Sequence, residues 1–341
     1  MPISLNYLIK RIAWSITIIA GVVTFSYLVL ILSPGDPAIK WAGNPRGPGA
    51  AKAIENARKE LGLDQPLYLQ VLNFLRMVFT GDLGLSIAYK KPVFEILWHG
   101  LAATLELLVL AYIIAIPLGA FIGVTTSLRR GTWLDGFIQS ASLALANTPT
   151  FWLGIAIFMI LNASGITAYG RVDTRLALAT GFKSITGLYL LDALLQFNFP
   201  VFLDVLTRTL PPALAVSAYP VGVCTRVTRA LMADALLEGF VQSAVAWGVS
   251  KRAIVWRYAF RAALAGLVQV SGLAFAYSLV DAMVVEYVFG RDGLGRFLFD
   301  SVNTGDFRLS IGLMVVVALF YVLANTLADI VQAIVDPRVK L

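Results

Sequence analysis

Six long windows without a single charge recur along the chain: residues 12–32, 107–128, 136–170, 209–225, 262–280 and 309–328. A helix rising ~1.5 Å per residue needs about 20 apolar residues to cross the ~30 Å hydrocarbon layer of a bilayer. Four of the windows match that length. The window 136–170 is long enough for a span plus an outer loop, and 209–225 is short but extendable at either end. A further apolar stretch, 193–203, is set off by Asp192 and Asp204 and reads as an interfacial or loop segment. The pattern predicts an all-α polytopic membrane protein with six transmembrane helices.

Composition supports this reading. Of the 341 residues, 58% are hydrophobic and 14% charged, against about 45–50% and about 25% in a soluble domain. The mean hydropathy is +0.79. One water-soluble domain has too little interior to hide so much apolar side chain, which excludes an ordinary soluble enzyme and a disordered chain. The net charge of +7 is read as the Lys and Arg of cytoplasmic loops and headgroup contacts rather than as a nucleic-acid surface. Single copies of Cys (Cys224) and His (His99) rule out an intrachain disulfide and argue against a His-rich metal site or a Ser-His-Asp triad. His99 reads as an interfacial side chain.

Six spans put both termini on one side. Lys10 and Arg11, Arg129 and Arg130, Arg226, Arg229, Lys251, Arg252, Arg257 and Arg261, and Arg338 and Lys340 fall on that side, with Asp135, Asp234, Glu238 and Asp336. The other side is nearly balanced. Lys and Arg accumulate in cytoplasmic loops, so both termini are expected in the cytoplasm. Lys10-Arg11 before a 21-residue apolar run reads as an uncleaved signal anchor, since the apolar core of a signal peptide spans about 7–15 residues.

The connections carry their own signals. Residues 1–32 form a tail and the first span. Residues 33–98 form a small extracytoplasmic subdomain. In it, Ser33-Pro34-Gly35-Asp36-Pro37 breaks the first helix, residues 50–61 and 65–79 read as helices, Gly62 is a C-cap and Gly81-Asp82-Leu83-Gly84 is a turn. Residues 99–341 form the core, with a second outer insert at about 171–208 and a cytoplasmic hairpin at about 230–261. Two long loops on one face suggest a docking surface there. In the hairpin, Leu237, Phe240, Val241, Ala244 and Gly248 recur at helical spacing, flanked by Glu238 and Gln242. Gly248-Val249-Ser250 interrupts the helix. Ser250 is placed to cap a second helix over 251–264 that runs into span five. Trp247 stands beside the turn. Such a hairpin is either an amphipathic connector lying on lipid headgroups or an element gripped by another protein, with Trp247 as an anchor.

Inside the spans, Asn147 and Pro149 interrupt span three, Phe151 follows them, and Pro211-Pro212 sits near the outer start of span four. Such residues either line a cavity or kink a packed helix. Glu106, Asp281 and Asp329 lie near span ends, where they can snorkel or bond loop backbone. Gly119-x-x-x-Gly123 offers a helix-contact face.

In order and spacing, these motifs resemble the inner-membrane permease subunits of ATP-binding-cassette importers, within them the dipeptide/oligopeptide/nickel class. The resemblance runs from Lys10 to Lys340. It is carried by Ser33-Pro34-Gly35-Asp36-Pro37, Leu61-Gly62-Leu63-Asp64-Gln65-Pro66-Leu67, Gly81-Asp82-Leu83-Gly84-Leu85-Ser86, Thr104-Leu105-Glu106-Leu107, Thr148-Pro149-Thr150-Phe151-Trp152, Thr186-Gly187-Leu188-Tyr189, Gly293-Leu294-Gly295-Arg296 and Asp336-Pro337-Arg338. The hairpin falls where that family has its coupling motif, the EAA loop, which docks in a groove of the ATPase. Gly248 corresponds to the motif's glycine and Ala244 to its small residue. Family members usually carry basic residues before the glycine. This chain has Gln242, Val245 and Trp247, which implies a more apolar contact.

The resemblance implies a fold like that of type I importers, with no catalytic role, cofactor or metal in this chain. No Gly-x-x-x-x-Gly-Lys-Ser/Thr loop occurs, so ATP and Mg belong to a partner ATPase. The implied partners are a second permease subunit (a heterodimer favoured), two ATP-binding-cassette ATPase subunits, an extracytoplasmic solute-binding protein and the bilayer of a prokaryotic inner membrane. Peptides are the solute the resemblance favours, with oligosaccharides or nickel on the same scaffold as alternatives. The rival from another class is a stand-alone secondary transporter or channel. It predicts a relay of carboxylates deep in the bundle, and the apolar windows hold no central Asp or Glu.

Overall fold

The computed structural model describes residues 5–32 and 36–335. Along those residues the chain is helical, broken by short loops and one isolated bridge between Leu85 and Pro92. Helix α1 (Leu5–Leu32) is the first span. Three outer helices follow: α2 (Pro37–Trp41), α3 (Ala50–Glu60) and α4 (Leu67–Thr80). Then come α5 (Val93–Ser127), the pair α6 (Trp133–Asn147) and α7 (Thr150–Ala163), the small α8 (Thr174–Ala179) and α9 (Tyr189–Leu195), and α10 (Phe199–Ala235). The hairpin helix α11 (Gly239–Ala246) leads to α12 (Lys251–Ala253), a π-helical segment over Ile254–Ala259 and α13 (Phe260–Val288). The outer helix α14 (Leu294–Thr304) and the last span α15 (Phe307–Val335) complete the fold.

Five helices are long and apolar enough to cross a membrane, and the bent pair α6–α7 makes a sixth span if counted as one. The six expected spans are found, but with different lengths. The charge-free windows underestimate the helices, because charged residues continue them beyond the hydrocarbon layer: α5 has 35 residues and α10 has 37. Residues 93–98, at the end of the outer stretch 33–98, are the first turns of α5. The stretch 193–203, expected to be interfacial or a loop, is helical rather than a loop: it holds the end of α9 and the start of α10. Asn198 caps α10 through a bond from the Val201 N–H.

Span three breaks where Asn147 and Pro149 predict it. The axes of α6 and α7 differ by 94°. Pro149 has no N–H to donate, and a break inside lipid leaves carbonyls that water cannot reach. Two side chains add bonds to the last turn of α6: the Asn147 amide donates to Leu143 O at 2.7 Å, and the Thr148 hydroxyl donates at 2.7 Å to Ala144 O, which also accepts the Thr148 N–H at 2.9 Å. The helix α10, by contrast, continues through Pro211 and Pro212, both buried.

The core is made by α5 and α10 lying side by side. Gly119 and Gly123 form the contact face their spacing suggests. A Cβ on Gly119 would stand 2.6 Å from the Cys224 Cβ, and one on Gly123 2.6 Å from the Thr228 Cβ. Without side chains there, the two backbones approach closely, which is how helices gain dispersion energy in lipid. Gly222 does the same on another side of α10, facing Ser142 and Ala146 of α6. The main apolar cluster joins Leu107, Leu108, Val216, Leu279, Phe289, Leu309 and Leu313. The first span stands apart from it: Val23 and Tyr27 pack with Phe74, Phe307 and Ile311 in a smaller cluster.

The outer subdomain is pinned to the last span by one carboxylate. Asp306, fully buried, accepts from the Ser86 hydroxyl, the Ala88 N–H at 3.1 Å and the Leu309 N–H at 3.1 Å. This explains why a Gly-Asp-Leu-Gly-Leu-Ser turn stands there: Gly81 and Gly84, at φ +76° and +74°, steer Ser86 onto Asp306. Asp36 caps α2 and pairs with Arg58. Ser33–Gly35 and the Asp336-Pro337-Arg338 tail lie outside the described residues.

Cys224 supplies a direct test of this packing. It is fully buried, so the native protein in detergent is expected to resist a thiol-reactive dye until it unfolds. Gly119→Val should overpack the α5–α10 contact and cost about 1–3 kcal/mol, read as labelling of Cys224 at lower temperature than in wild type.

Candidate functional site

Two regions concentrate polar chemistry, one on each side of the bundle. On one side α10 ends at Ala235 and the hairpin begins. Val241 and Ala244 of α11 are buried, and the root packs through Val124, Met232, Ala235, Ala259 and Ala263. The expected apolar stripe is therefore narrower than its spacing suggests. Leu237 and Phe240 point outward, 67% and 47% exposed. Trp247 is 86% exposed, so it is not used for packing within this chain. Gly248 has φ +76° and no heavy atom near its Cβ position. It reverses the chain with the Val249 N–H bonded back to Ala244 O at 3.1 Å. Ser250 caps the following helix through the Ala253 N–H at 3.4 Å. Glu238 stands at the N-cap of α11 without a side-chain capping bond, and Gln242 is exposed. The structure thus gathers Glu238, Gln242, Ala244, Trp247, Gly248 and Ser250 on one projecting element. The second helix differs from expectation: six of its residues form a π-helix.

The hairpin shares its side of the bundle with the start of α1 and the end of α15. Arg11 of α1 pairs with Asp329 of α15 at 3.0 Å, and Arg229 of α10 with Asp135 of α6 at 2.6 Å. Asp329 therefore has an ion-pair role near a span end.

The opposite side holds a buried charge cluster. Glu106 accepts from Arg171 at 3.0 Å, from Arg291 at 3.4 Å and from the Leu190 N–H at 2.7 Å. Arg171 also donates to Gly187 O at 2.7 Å and lies over the Tyr189 ring at 3.7 Å. Arg291 donates to the Thr209 hydroxyl at 3.0 Å. One carboxylate thereby binds α5, α9, α10, the outer insert and the loop after α13. Glu106 is expected to snorkel or to bond loop backbone; it is buried instead, paired with two guanidiniums and bonded to the first turn of α9. The glycines of Gly293-Leu294-Gly295-Arg296 are explained next door: Glu286 accepts the Gly295 N–H at 3.0 Å, and a Cβ on Gly295 would overlap the Met283 carbonyl. Thr104 accepts the Leu294 N–H at 3.1 Å.

The Thr186-Gly187-Leu188-Tyr189 motif is built around Asp192. This buried carboxylate accepts the Ile185, Thr186 and Gly187 N–H groups and the Thr186 hydroxyl, at 3.0, 2.9, 3.2 and 2.7 Å. Burial pushes its carboxyl up, but the bonds from Thr186, Ile185 and Gly187 outweigh it and hold the group below its ordinary 3.8. Arg208 anchors the same insert, bonding Asp204 at 2.9 Å and Tyr169 O at 2.6 Å.

Sequence reading missed Arg171, Arg291, Asp192 and Asp306 as structural charges. Their one signal was an unexpected supply of both signs of charge next to apolar spans. Asn147, Pro149 and Phe151 sit at the break in span three, with Phe151 49% exposed. Pro211 and Pro212 lie buried inside α10, away from that break in sequence and inside an unbroken helix.

A polytopic helical bundle with a rigid outer face and one projecting hairpin is the architecture of a membrane transport subunit. Residues 115–341 match the family described as the binding-protein-dependent transport system inner membrane component, and residues 4–108 match its N-terminal membrane component. The chain belongs to this family and is a transport subunit rather than an enzyme. Such a permease works with a separate ATPase and a solute-binding protein. Among curated proteins, it is 35% identical over 335 residues, 97% of each chain, to the Escherichia coli protein named “Probable D,D-dipeptide transport system permease protein DdpB”. It is 31% identical over 336 residues to the di/tripeptide transport system permease protein DppB of Pseudomonas aeruginosa, covering 98% of this chain and 99% of that one. It is 29% identical over 338 residues to the dipeptide transport system permease protein DppB of Alkalihalophilus pseudofirmus, again 98% and 99%.

Two outcomes follow. Glu106→Ala leaves two buried guanidiniums without their carboxylate and should cost about 3–5 kcal/mol, measured as lost thermal stability in detergent. Asp192 has a depressed folded pKa, so its stabilisation is full above the ordinary carboxylate range and is lost as pH falls through the folded value. Proteolysis within the outer insert should therefore stay slow at neutral pH and rise only in strong acid; Asp192→Ala should make it fast already at neutral pH.

Proposed function

We propose that this chain forms half of the pathway of an ATP-driven peptide importer and that its Glu238–Ser250 hairpin is where a partner ATPase pushes. The observation that carries the reading is Trp247. A tryptophan that is 86% exposed at the tip of a rigid turn is a poor choice for solvent and a good anchor for a protein groove. Leu237, 67% exposed, widens the apolar contact, and Ala244 and Gly248 keep the tip slim. ATP and Mg act on the ATPase. This chain receives the motion.

Peptide as solute is supported by the relatives' names, all of peptide transport systems. A heterodimer with a second, different permease and two ATPases completes the pathway. The solute-binding protein delivers to the outer face, where α3, α4, the insert and α14 form a surface tied down by Asp306 and Glu106. The basic hairpin side faces the cytoplasm, supported by the excess of Lys and Arg in its short loops. The break at Asn147–Phe151 is the segment best suited to line the pathway, since an interrupted helix at membrane depth is tolerated beside a cavity.

Gly248→Leu tests the coupling. Nothing lies near its Cβ position, so folding loses only the cost of a left-handed residue, about 1–2 kcal/mol. Purified complexes should assemble, yet solute-stimulated ATP hydrolysis should fall at least about tenfold, the effect of about 1.4 kcal/mol on the coupled step. Normal stimulated hydrolysis in that variant would remove the hairpin from the mechanism.

A further inference from the structure

The root of the hairpin borders an open, groove-like cavity that the proposed coupling does not use. Its volume is about 350 Å³, and its walls are Phe240, Arg257, Tyr258, Arg261 and Ala262. Arg257 and Arg261 lie four residues apart on the π-helical segment and the first turn of α13, and both are exposed. Neither makes a hydrogen bond or ion pair through its side chain among the described residues. Other arginines on this side are committed: Arg11 holds Asp329 at 3.0 Å and Arg229 holds Asp135 at 2.6 Å. Two guanidiniums that share a cavity and lack an acid repel each other, and an anion in the cavity would relieve this.

The position in the fold points to the anion. The cavity lies immediately before the charge-free run of span five, where the helix enters the hydrocarbon layer. Phosphate groups of a bilayer lie at that level. Trp256 and Tyr258 are exposed beside it, and aromatic rings of this kind concentrate at the membrane–water boundary. A guanidinium fork matches a phosphate better than an ammonium does. The cavity is at the base of the hairpin and not at its Trp247 tip, which favours lipid over a side chain of the ATPase.

We propose that this cavity binds the headgroup of an anionic phospholipid. Arg257 and Arg261 hold the phosphate, and Phe240 and Tyr258 flank the glycerol and upper acyl chain. The leaflet rests on the orientation proposed above; the site itself does not.

The test uses the intact transport complex in vesicles that carry a photoactivatable phosphatidylglycerol in one leaflet at a time, with photoactivatable phosphatidylcholine as the comparison. Crosslinks mapping to residues 240–262 should form from phosphatidylglycerol well above phosphatidylcholine. The signal should fall about tenfold in the Arg257→Gln/Arg261→Gln double variant, as expected when two basic contacts to an anionic surface are lost. It should survive in Arg257→Lys/Arg261→Lys and in Arg129→Gln/Arg130→Gln, which removes a basic pair elsewhere on that side. Equal labelling by the two lipids in the wild type overturns the proposal without needing any variant to fold. So does a crosslink from this segment to an acidic ATPase residue in place of lipid. Labelling from the outer leaflet alone would overturn the orientation and leave the lipid site standing.

Discussion

A charge beside lipid has no water to fall back on, and the outer half of this molecule is organised by that constraint. Glu106 alone is bonded by two guanidiniums and a backbone N–H. Removing any partner would strand another in a poorly solvated site, so the elements that supply them are held as one body. Asp192 and Asp306 repeat the arrangement on smaller scales, each a buried carboxylate closed around backbone N–H groups, and Glu286 accepts the Gly295 N–H. Loops that would otherwise be loose become a shaped surface. A delivery protein needs such a surface, because ordering loops at each encounter would weaken binding.

On the proposed coupling, the same constraint gives one side of the bundle a connection to the other. Arg291 bonds Thr209 at the outer side of α10, and the same helix ends at Ala235, where the hairpin root packs against Ala259 and Ala263. From Thr209 to Ala235 the helix runs unbroken, roughly 40 Å at the α-helical rise. Gly119, Gly123 and Gly222 press the backbones of α5 and α6 against it. A push on the hairpin would arrive at the outer clamp as rigid-body motion, since packed interfaces shift between discrete arrangements rather than deform continuously. The 94° break between α6 and α7 is the natural place for the rest of the bundle to yield.

How much of this was legible follows from what each signal reports. Charge-free windows find the hydrocarbon layer, so all six spans were visible, but helices continue past that layer and the ends of α5 and α10 were not. Turn glycines were readable wherever a positive φ is needed, as at Gly81 and Gly248. Gly295 was readable only as part of a motif, because its reason is a neighbouring backbone, Met283, far from any local pattern. The hairpin was legible as a helix–turn–helix from Gly248 and Ser250. Its exposure was not: periodicity placed Leu237 and Phe240 with Val241 and Ala244, whereas Leu237 falls before α11, which starts at Gly239, and Phe240 in the first turn of α11 stays 47% exposed. Partners of buried charges such as Arg171 and Arg291 are distant in sequence and carry no spacing to read.

The π-helical segment was also invisible to periodicity, and it changes what the hairpin can transmit. Six residues wound more widely than an α-helix are less stable than the α-helix they interrupt, and such segments concentrate at functional sites. Here the segment separates the coupling turn from span five. Its inner residues Ile254 and Ala259 are buried while Trp256, Arg257 and Tyr258 face outward. The joint is therefore anchored on one face and free on the other, an arrangement that permits twist about the helix axis while resisting displacement across it. An anionic headgroup held by Arg257 and Arg261 would hold the free face as well. Lipid would then set how stiffly the hairpin is joined to the span, and the force delivered at Trp247 would reach the pathway in proportion.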